Sequence, residues 1–108
     1  MFDAAQATSI AIDLDPVSTE QVVSGSPESG SVVLHDFDGH EVGVWEHTVG
    51  VSTDVEEDEV FVVLFGRAIV EFGDGRTMEL GPGTVGRLAE GQKTVWRVME
   101  TLRKVYIA

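Results

Sequence analysis

The sequence contains no cysteine, which excludes disulfide bonds and metal sites built from thiolates. It also lacks a long apolar run and a positively charged leader segment. We therefore expect neither a membrane-spanning helix nor a signal peptide, and we expect the protein in the cytoplasm. The length of 108 residues predicts one domain with a small hydrophobic core.

Basic side chains are scarce, and none occurs before Arg67. The residues before Arg67 include 14 acidic side chains, whereas the rest of the chain has 5 acidic and 7 basic ones, for a net charge of −12. Nucleic acid and anionic membranes are not expected partners of such an acidic protein. The asymmetry has two interpretations. Acidic side chains keep a small protein soluble, or the first half packs against the second half, in the same chain or in a partner chain.

The stretch from Glu59 to Gly66 opens on an acidic residue, continues through β-branched and aromatic residues and ends on a glycine. This short apolar run predicts a buried strand, and Gly66 predicts a turn, because glycine takes positive φ without steric cost. The dipeptide Asp38-Gly39 predicts a hairpin. Other short apolar runs, separated by glycine turns, predict strands over 32–35, 41–48, 68–72, 77–80, 84–88, 93–99 and 102–107. Together they predict an all-β barrel or sandwich.

The N-terminal part of the chain does not show this pattern of short apolar runs separated by glycine turns. Residues 9–13 predict a short edge strand, and residues 16–31 are rich in turn-forming residues and predict a loop. We expect residues 1–31 to form an arm and residues 32–108 to form the single barrel domain. The acidic run over 51–58 predicts a solvated loop; as an alternative it binds a hard cation, although it lacks the glycine turn of a calcium loop.

Two segments resemble the motifs of the cupin superfamily. Glu59-x6-Gly66 is similar to the second half of the first motif, and Gly83-x5-Ala89-x-Gly91-x2-Thr94 is similar to the second motif. Matches around them extend the resemblance over residues 40–108: Gly43-Val-Trp-Glu46, Thr48-x-Gly50, Leu80-Gly-Pro-Gly83, Thr94-x-Trp96 and Arg103-Lys-Val-Tyr106.

These segments look most like small single-domain cupins, which are RmlC-like proteins. That group includes (S)-ureidoglycine aminohydrolase-type domains, an ethanolamine-utilisation cupin and many proteins of unknown function. The resemblance implies a cupin barrel, also called a double-stranded β-helix or jelly roll. It further implies a homodimer, often with exchange of an N-terminal strand between subunits.

The metal ligands that the resemblance implies are largely missing. The superfamily's two histidines of the first motif fall on Thr53 and Val55, and the histidine of the second motif falls on Thr94. Of the usual four ligands only Glu59 remains, and one carboxylate does not hold a transition metal. We therefore expect no metal and no cofactor.

Alternation along the strands places one set of side chains inside the barrel. His47 is expected there as a hydrogen-bonded core residue, with a site of His47, Glu59 and a third oxygen ligand as the alternative; the other two histidines are expected at the surface. A buried carboxylate is costly without a cation, so Lys104 is the predicted partner of Glu59; the alternative places Glu59 in water at the barrel mouth. The predicted pocket is lined by Trp45, His47, Glu59, Phe61, Thr94, Trp96, Lys104 and Tyr106.

Two classes of function fit this pocket. The first is a metal-free cupin that binds a small molecule between aromatic walls. The second is a small-metabolite enzyme, a hydrolase or isomerase that resembles the ureidoglycine aminohydrolase type and uses Glu59 with or without a metal. Its candidate catalytic residues are Glu59 and Lys104, with His47 or Tyr106 as further acid–base groups. The missing histidines favour the first class.

Overall fold

A computed structural model describes residues 3–108; the first two residues of the predicted arm lie outside the described part. Within that part the chain forms nine β-strands, and every described pairing between them is antiparallel. The strands are β1 (Asp15–Pro16), β2 (Val22–Ser24), β3 (Glu28–Phe37), β4 (His40–His47), β5 (Gly50–Val55), β6 (Glu59–Phe72), β7 (Thr77–Leu80), β8 (Val85–Leu88) and β9 (Lys93–Ile107). The described residues include no helix that is long and apolar enough to cross a membrane.

Two long strands, β6 and β9, form the centre of the structure. They pair with each other from Val60 opposite Ile107 to Phe72 opposite Thr94. On its other edge, β9 pairs with β5 through its first half and with β4 through its second half. On the other edge of β6, β8 pairs with the beginning of the strand and β7 with its end. The two long strands thus connect β4 and β5 on one side with β7 and β8 on the other.

The hydrophobic core lies between β6, β7, β8 and β9. Its buried members are Phe61, Val63, Ala68, Val70, Leu80, Leu88, Trp96, Val98 and Leu102. In β9 the inward residues keep the two-residue period of a strand. In β6 they change from odd to even numbers between Val63 and Ala68, where the register with β9 shifts. A β-bulge therefore keeps the apolar face of β6 inward along its whole length.

Gly66 lies in this bulge and not in a turn, so the turn predicted at this glycine is wrong. Its φ is +95°, and a Cβ atom placed there would lie 2.1 Å from the carbonyl oxygen of Thr101. The bulge and a turn both require a residue that takes positive φ, which is why the sequence does not distinguish them. The predicted break between the last two strands is also wrong, because β9 continues through residues 99–101.

The solvated loop predicted over 51–58 is wrong for most of its length. Residues 50–55 form β5, in which Thr53 pairs with Val95 and Asp54 with Thr94. Asp54 is a poor strand former, and the acidic residues that follow it favour a solvated loop, whereas Val51, Thr53 and Val55 favour a strand. Pairing with β9 decides for the strand.

The N-terminal segment also differs from the prediction. Residues 9–13 form no strand, and β1 is limited to two residues. The loop predicted over 16–31 contains β2 and the first residues of β3. The guanidinium of Arg103 fixes this segment to the barrel, because its Nη1 donates to the carbonyl oxygens of Ala7 (3.0 Å) and Ile10 (2.9 Å).

The hairpin predicted at Asp38-Gly39 is confirmed. Asp38 and Gly39 connect β3 to β4 with φ values of 51° and 80°. Positive φ at both positions is the geometry of a type I′ turn, which matches the twist of the strands on either side.

Candidate functional site

A cavity of about 190 Å³ opens between the inner face of the barrel and the N-terminal segment. Six of the predicted pocket residues line it: Trp45, His47, Glu59, Trp96, Lys104 and Tyr106. The rest of its wall comes from β5 and the connection that follows it, from the start of β3 and from the segment between β1 and β2. These residues are Val17, Gln21, Ser29, Ser31, Ser52, Thr53, Asp54 and Glu56.

The ammonium group of Lys104 lies at the centre of this wall. Lys104 sits in β9 opposite Trp45 of β4, and only 4% of its surface is exposed. Its Nζ donates to Oε2 of Glu59 at 2.5 Å. The same nitrogen lies 4.7 Å from the ring centroid of Trp45, 4.6 Å from that of Phe61 and 4.9 Å from that of Trp96. The carboxylate and the three aromatic faces together hold the charge of Lys104 inside the barrel.

Glu59 therefore lies beside Lys104, as strand alternation predicts, and not free in water at the barrel mouth. The carboxylate belongs to the first residue of β6, and its side chain is 17% exposed. A bond to a buried ammonium offsets the cost of removing both charges from water. The pair is thus a fixed polar feature of the cavity wall.

His47 points inward from the end of β4, and 2% of its surface is exposed. Its Nδ1–H donates to the carbonyl oxygen of Thr48 at 2.7 Å, which assigns the proton to Nδ1. Nε2 then accepts from the hydroxyl of Ser52 at 2.8 Å. Burial lowers the pKa of His47, and the bond to Thr48 offsets this only in part. Because its pKa is lowered, His47 is neutral at pH 7. Both of its ring nitrogens are hydrogen-bonded inside the protein.

Glu56 is a cavity residue that the sequence analysis missed. It belongs to the connection between β5 and β6, and only 8% of its surface is exposed. Its Oε2 accepts from the hydroxyl of Thr94 at 2.6 Å and from the indole N–H of Trp96 at 2.9 Å. A buried indole N–H requires an acceptor, which is the only signal in the sequence for such a partner. The acidic run does not indicate which of its members turns inward.

Two predicted pocket residues do not line the cavity. Thr94 lies behind Glu56 and positions it through the hydrogen bond above. Phe61 lies in the core beneath Lys104, with its ring against Gly86, where a Cβ atom would come within 2.2 Å of the ring. Both support the wall from behind.

Asp54 and Tyr106 stand where the cavity meets solvent. The pKa of Asp54 is raised, first because the surrounding protein removes hydration from its carboxyl group and second because Glu56 repels its negative charge. The pKa of Tyr106 is raised mainly by burial and further by the charge of Glu41. At neutral pH, Tyr106 is therefore a neutral phenol that donates or accepts hydrogen bonds.

The residues at this site do not fit a transition metal. Thr53 and Val55 carry no imidazole, and the hydroxyl of Thr94 is bonded to Glu56. The Lys104 ammonium lies against the carboxylate of Glu59. Within residues 3–108, no three histidine, aspartate or glutamate side chains are placed to hold a metal ion. Neither the alternative site at His47 nor a cation site in the acidic run is assembled.

The chain is similar to several solved structures. A protein of unknown function of the DUF861 family from Pseudomonas syringae pv. tomato has a TM-score of 0.78 at 19% identity, over 91% of this chain and 44% of that chain. The EutQ protein of Clostridium difficile has a TM-score of 0.66 at 19% identity, over 84% of this chain and 77% of that one. Ectoine synthase from P. lautus has a TM-score of 0.63 at 21% identity, over 86% of this chain and 67% of that one. At these identities the likeness shows the fold alone.

The comparison with curated protein sequences finds no match. A sequence model of one family, the EutQ-like cupin domain, matches residues 34–106. This match and the structural likenesses confirm the predicted cupin jelly roll, and the match covers most of the chain. The chain belongs to the EutQ-like cupin domain family.

Proposed function

We propose that this domain binds a small polar molecule in the cavity and that binding requires no metal ion. The observation that carries the proposal is the Glu59–Lys104 pair, which is held among aromatic rings at the wall of a cavity of about 190 Å³. Val17, Trp45 and Trp96 supply apolar surface and most other lining residues are polar, so the cavity suits a small polar molecule more than an apolar one. A cation supplied by Lys104 leaves no role for a bound metal at Glu59.

The size and lining of the cavity limit the ligand. A water molecule takes about 30 Å³, so the cavity has room for about six non-hydrogen atoms, with further atoms reaching solvent past Asp54. The hydroxyls of Ser29 and Ser31 line the cavity, whereas the amide of Gln21 is already bonded to the Thr53 carbonyl oxygen and the Ser18 hydroxyl. A small hydroxylated or aminated metabolite fits this combination of size and polarity.

Tryptophan fluorescence provides a direct test, because both tryptophans of the chain, Trp45 and Trp96, line the cavity. We expect that members of a library of small polar metabolites change this fluorescence with saturation and raise the thermal midpoint of metal-free protein. The double variant Lys104→Met/Glu59→Gln, which leaves no unpaired charge, should weaken the response, because it removes the fixed polar feature of the cavity wall. Lys93→Met removes a charge at an exposed position and should leave it intact. A library without any saturable response would contradict the proposal.

Catalysis by the same site is the second candidate. A buried carboxylate and ammonium in contact, with the Tyr106 phenol on the same cavity, supply an acid and a base for proton transfer. One structural neighbour is an ectoine synthase, although its 21% identity supports only the fold. Glu59→Gln distinguishes the candidates once a ligand is known: in an enzyme the variant binds the ligand but no longer converts it, whereas a binding domain converts nothing in either form.

A further inference from the structure

The carboxylates of the cavity outnumber its cations. Asp54, Glu56 and Glu59 line it, against the single ammonium group of Lys104. The other titratable lining groups, His47 and Tyr106, are neutral at pH 7 because burial lowers the pKa of the first and raises that of the second. Lys104 and Glu59 neutralise each other at 2.5 Å. Two carboxylates, those of Asp54 and Glu56, therefore have no cation partner among the residues that the structure describes.

Glu56 has one oxygen left for a ligand. Both protein donors to its carboxylate, from Thr94 and Trp96, bond to the same atom, Oε2. Its Oε1 accepts no hydrogen bond from any residue in the described range. No fully buried side-chain oxygen or nitrogen in that range lacks a partner, so Oε1 is not sealed inside the protein. Since Glu56 is 8% exposed and lines the cavity, this oxygen faces the cavity space.

An anionic ligand is disfavoured by the same geometry. Among residues 3–108, the only cation in the wall is Lys104, which is covered by Trp45, Phe61 and Trp96 and already bonded to Glu59. An anion would approach the unpaired carboxylates and gain no free cation in return. A cation gains the attraction of Glu56 and Asp54, in surroundings where water screens it little.

We propose that the ligand of this cavity is a small organic cation, an alkylammonium compound, whose nitrogen donates to Oε1 of Glu56. The inference rests on the proposed binding function and adds the chemical class of the ligand. Asp54 at the rim attracts the same charge.

Three probes of nearly equal size test the charge preference: 4-aminobutan-1-ol, butane-1,4-diol and 4-hydroxybutyrate. Tryptophan fluorescence should give saturable binding of the amine, with at least about tenfold lower affinity for the diol and no saturation by the acid, as expected when one charge-assisted hydrogen bond is lost. Added salt should weaken binding of the amine.

Glu56→Gln keeps the size of the side chain and an acceptor for Trp96 but removes the charge. We expect it to weaken binding of the amine about tenfold. Glu90→Gln removes the same charge at an exposed site and should have no effect. Asp54→Asn, at the exposed rim, should cause a smaller loss and serves as the second variant if Glu56→Gln unfolds.

Equal or tighter binding of the diol or the acid would overturn the inference, and so would absence of amine binding at millimolar concentration or full affinity in both cavity variants. A different result contradicts the proposed binding function itself: no compound of any charge in the wider library gives a saturable response.

Discussion

A single lysine determines the chemistry of the cavity. In Lys104, Nζ contacts one carboxylate and three aromatic faces, and the side chain is 5% exposed. Strand alternation predicts the Glu59–Lys104 pair, because both residues fall on inward-facing positions and a buried carboxylate requires a cation. Glu56 could not be predicted in the same way. It lies in a connection, where no alternation assigns a direction to the side chain.

Removal of Lys104 alone should leave Glu59 buried without a cation. We expect Lys104→Met to lower the free energy of unfolding by about 3 kcal/mol or more, which is typical for breaking one half of a buried ion pair. The double variant with Glu59→Gln should recover most of this loss, because neither charge remains. Urea denaturation measures the free energy of unfolding of the single and the double variant. Equal destabilisation in the single and double variants would show that the pair contributes nothing as a pair.

His47 should make stability fall on mild acidification. Burial lowers the pKa of His47 in the folded protein below its usual 6.5, so between the two values the unfolded chain binds more protons than the folded one. The contribution is complete above pH 6.5 and is lost as pH falls through the folded-state pKa.

Chemical denaturation at pH values above and below 6.5 measures this change in the free energy of unfolding. His47→Gln should be less stable at neutral pH but should lose the part of the pH dependence that His47 causes. The exposed His40→Gln variant should retain the slope of the unsubstituted protein. An unchanged slope in His47→Gln would contradict the assignment.

The elements of this fold show where sequence patterns are informative and where they fail. The hairpin at Asp38-Gly39 and the strands β4, β7 and β8 follow closely from turn residues and alternating apolar positions. β5 does not, because the acidic residues at and after its end favour a loop, and pairing with β9 decides for the strand. The sequence does not predict that β6 is continuous through Gly66 either, since a glycine in a bulge and a glycine in a turn give the same sequence pattern.

The bulge at Gly66 should tolerate no side chain. Gly66 and Gly75 both have positive φ, near 95° and 92°, but the region around Gly75 is open, whereas a Cβ at Gly66 meets the backbone of Thr101. We expect Gly75→Ala to cost about 1 kcal/mol from backbone strain alone. Gly66→Ala should cost at least about 3 kcal/mol, because β9 must also move. Thermal unfolding of both variants tests this, and equal midpoints would contradict the bulge.

At the scale of the whole molecule, the charge asymmetry of the sequence corresponds to contacts between its halves. Acidic residues of the first half pair with basic residues of the second in Glu46–Arg103, Glu59–Lys104 and Asp58–Arg87. The first two pairs are largely buried, so loss of one partner costs more there than at a solvent-exposed pair. Packing of the two halves within the same chain thus accounts for part of the asymmetry.

Arg103 should hold the N-terminal segment against the barrel. Loss of its bonds to Ala7 and Ile10 in Arg103→Met should release residues 3–14 from the barrel. The backbone at Asp13, whose side chain is already exposed, should then be free to enter an aspartate-specific endoprotease. We expect cleavage at Asp13 at least about tenfold faster than in the unsubstituted protein, since one lost charged hydrogen bond already shifts an opening equilibrium that far. Arg97→Met, which removes an exposed pair with Glu71, is the control. Equal cleavage rates in the two variants would contradict the role of Arg103.

The homodimer that the cupin resemblance implies stays a prediction. A sedimentation mass of twice 11.7 kDa at micromolar concentration would agree with it, and a mass of 11.7 kDa would contradict it. An exchanged N-terminal arm would place the contacts of Arg103 between subunits and not within one chain. Subunit mixing of Arg103→Met with unsubstituted protein, followed by the same proteolysis, distinguishes the two arrangements.

The central proposal is that a lysine of the chain supplies the cation of this cavity, so that ligand binding requires no metal. Elemental analysis tests it most directly, on untagged protein purified from cells grown with manganese, iron, nickel and zinc. The account predicts far less than one equivalent of any of these metals per chain, in the unsubstituted protein and in Lys104→Met/Glu59→Gln alike. Close to one equivalent in the unsubstituted protein, lost in the double variant, would contradict it and place a metal at Glu59.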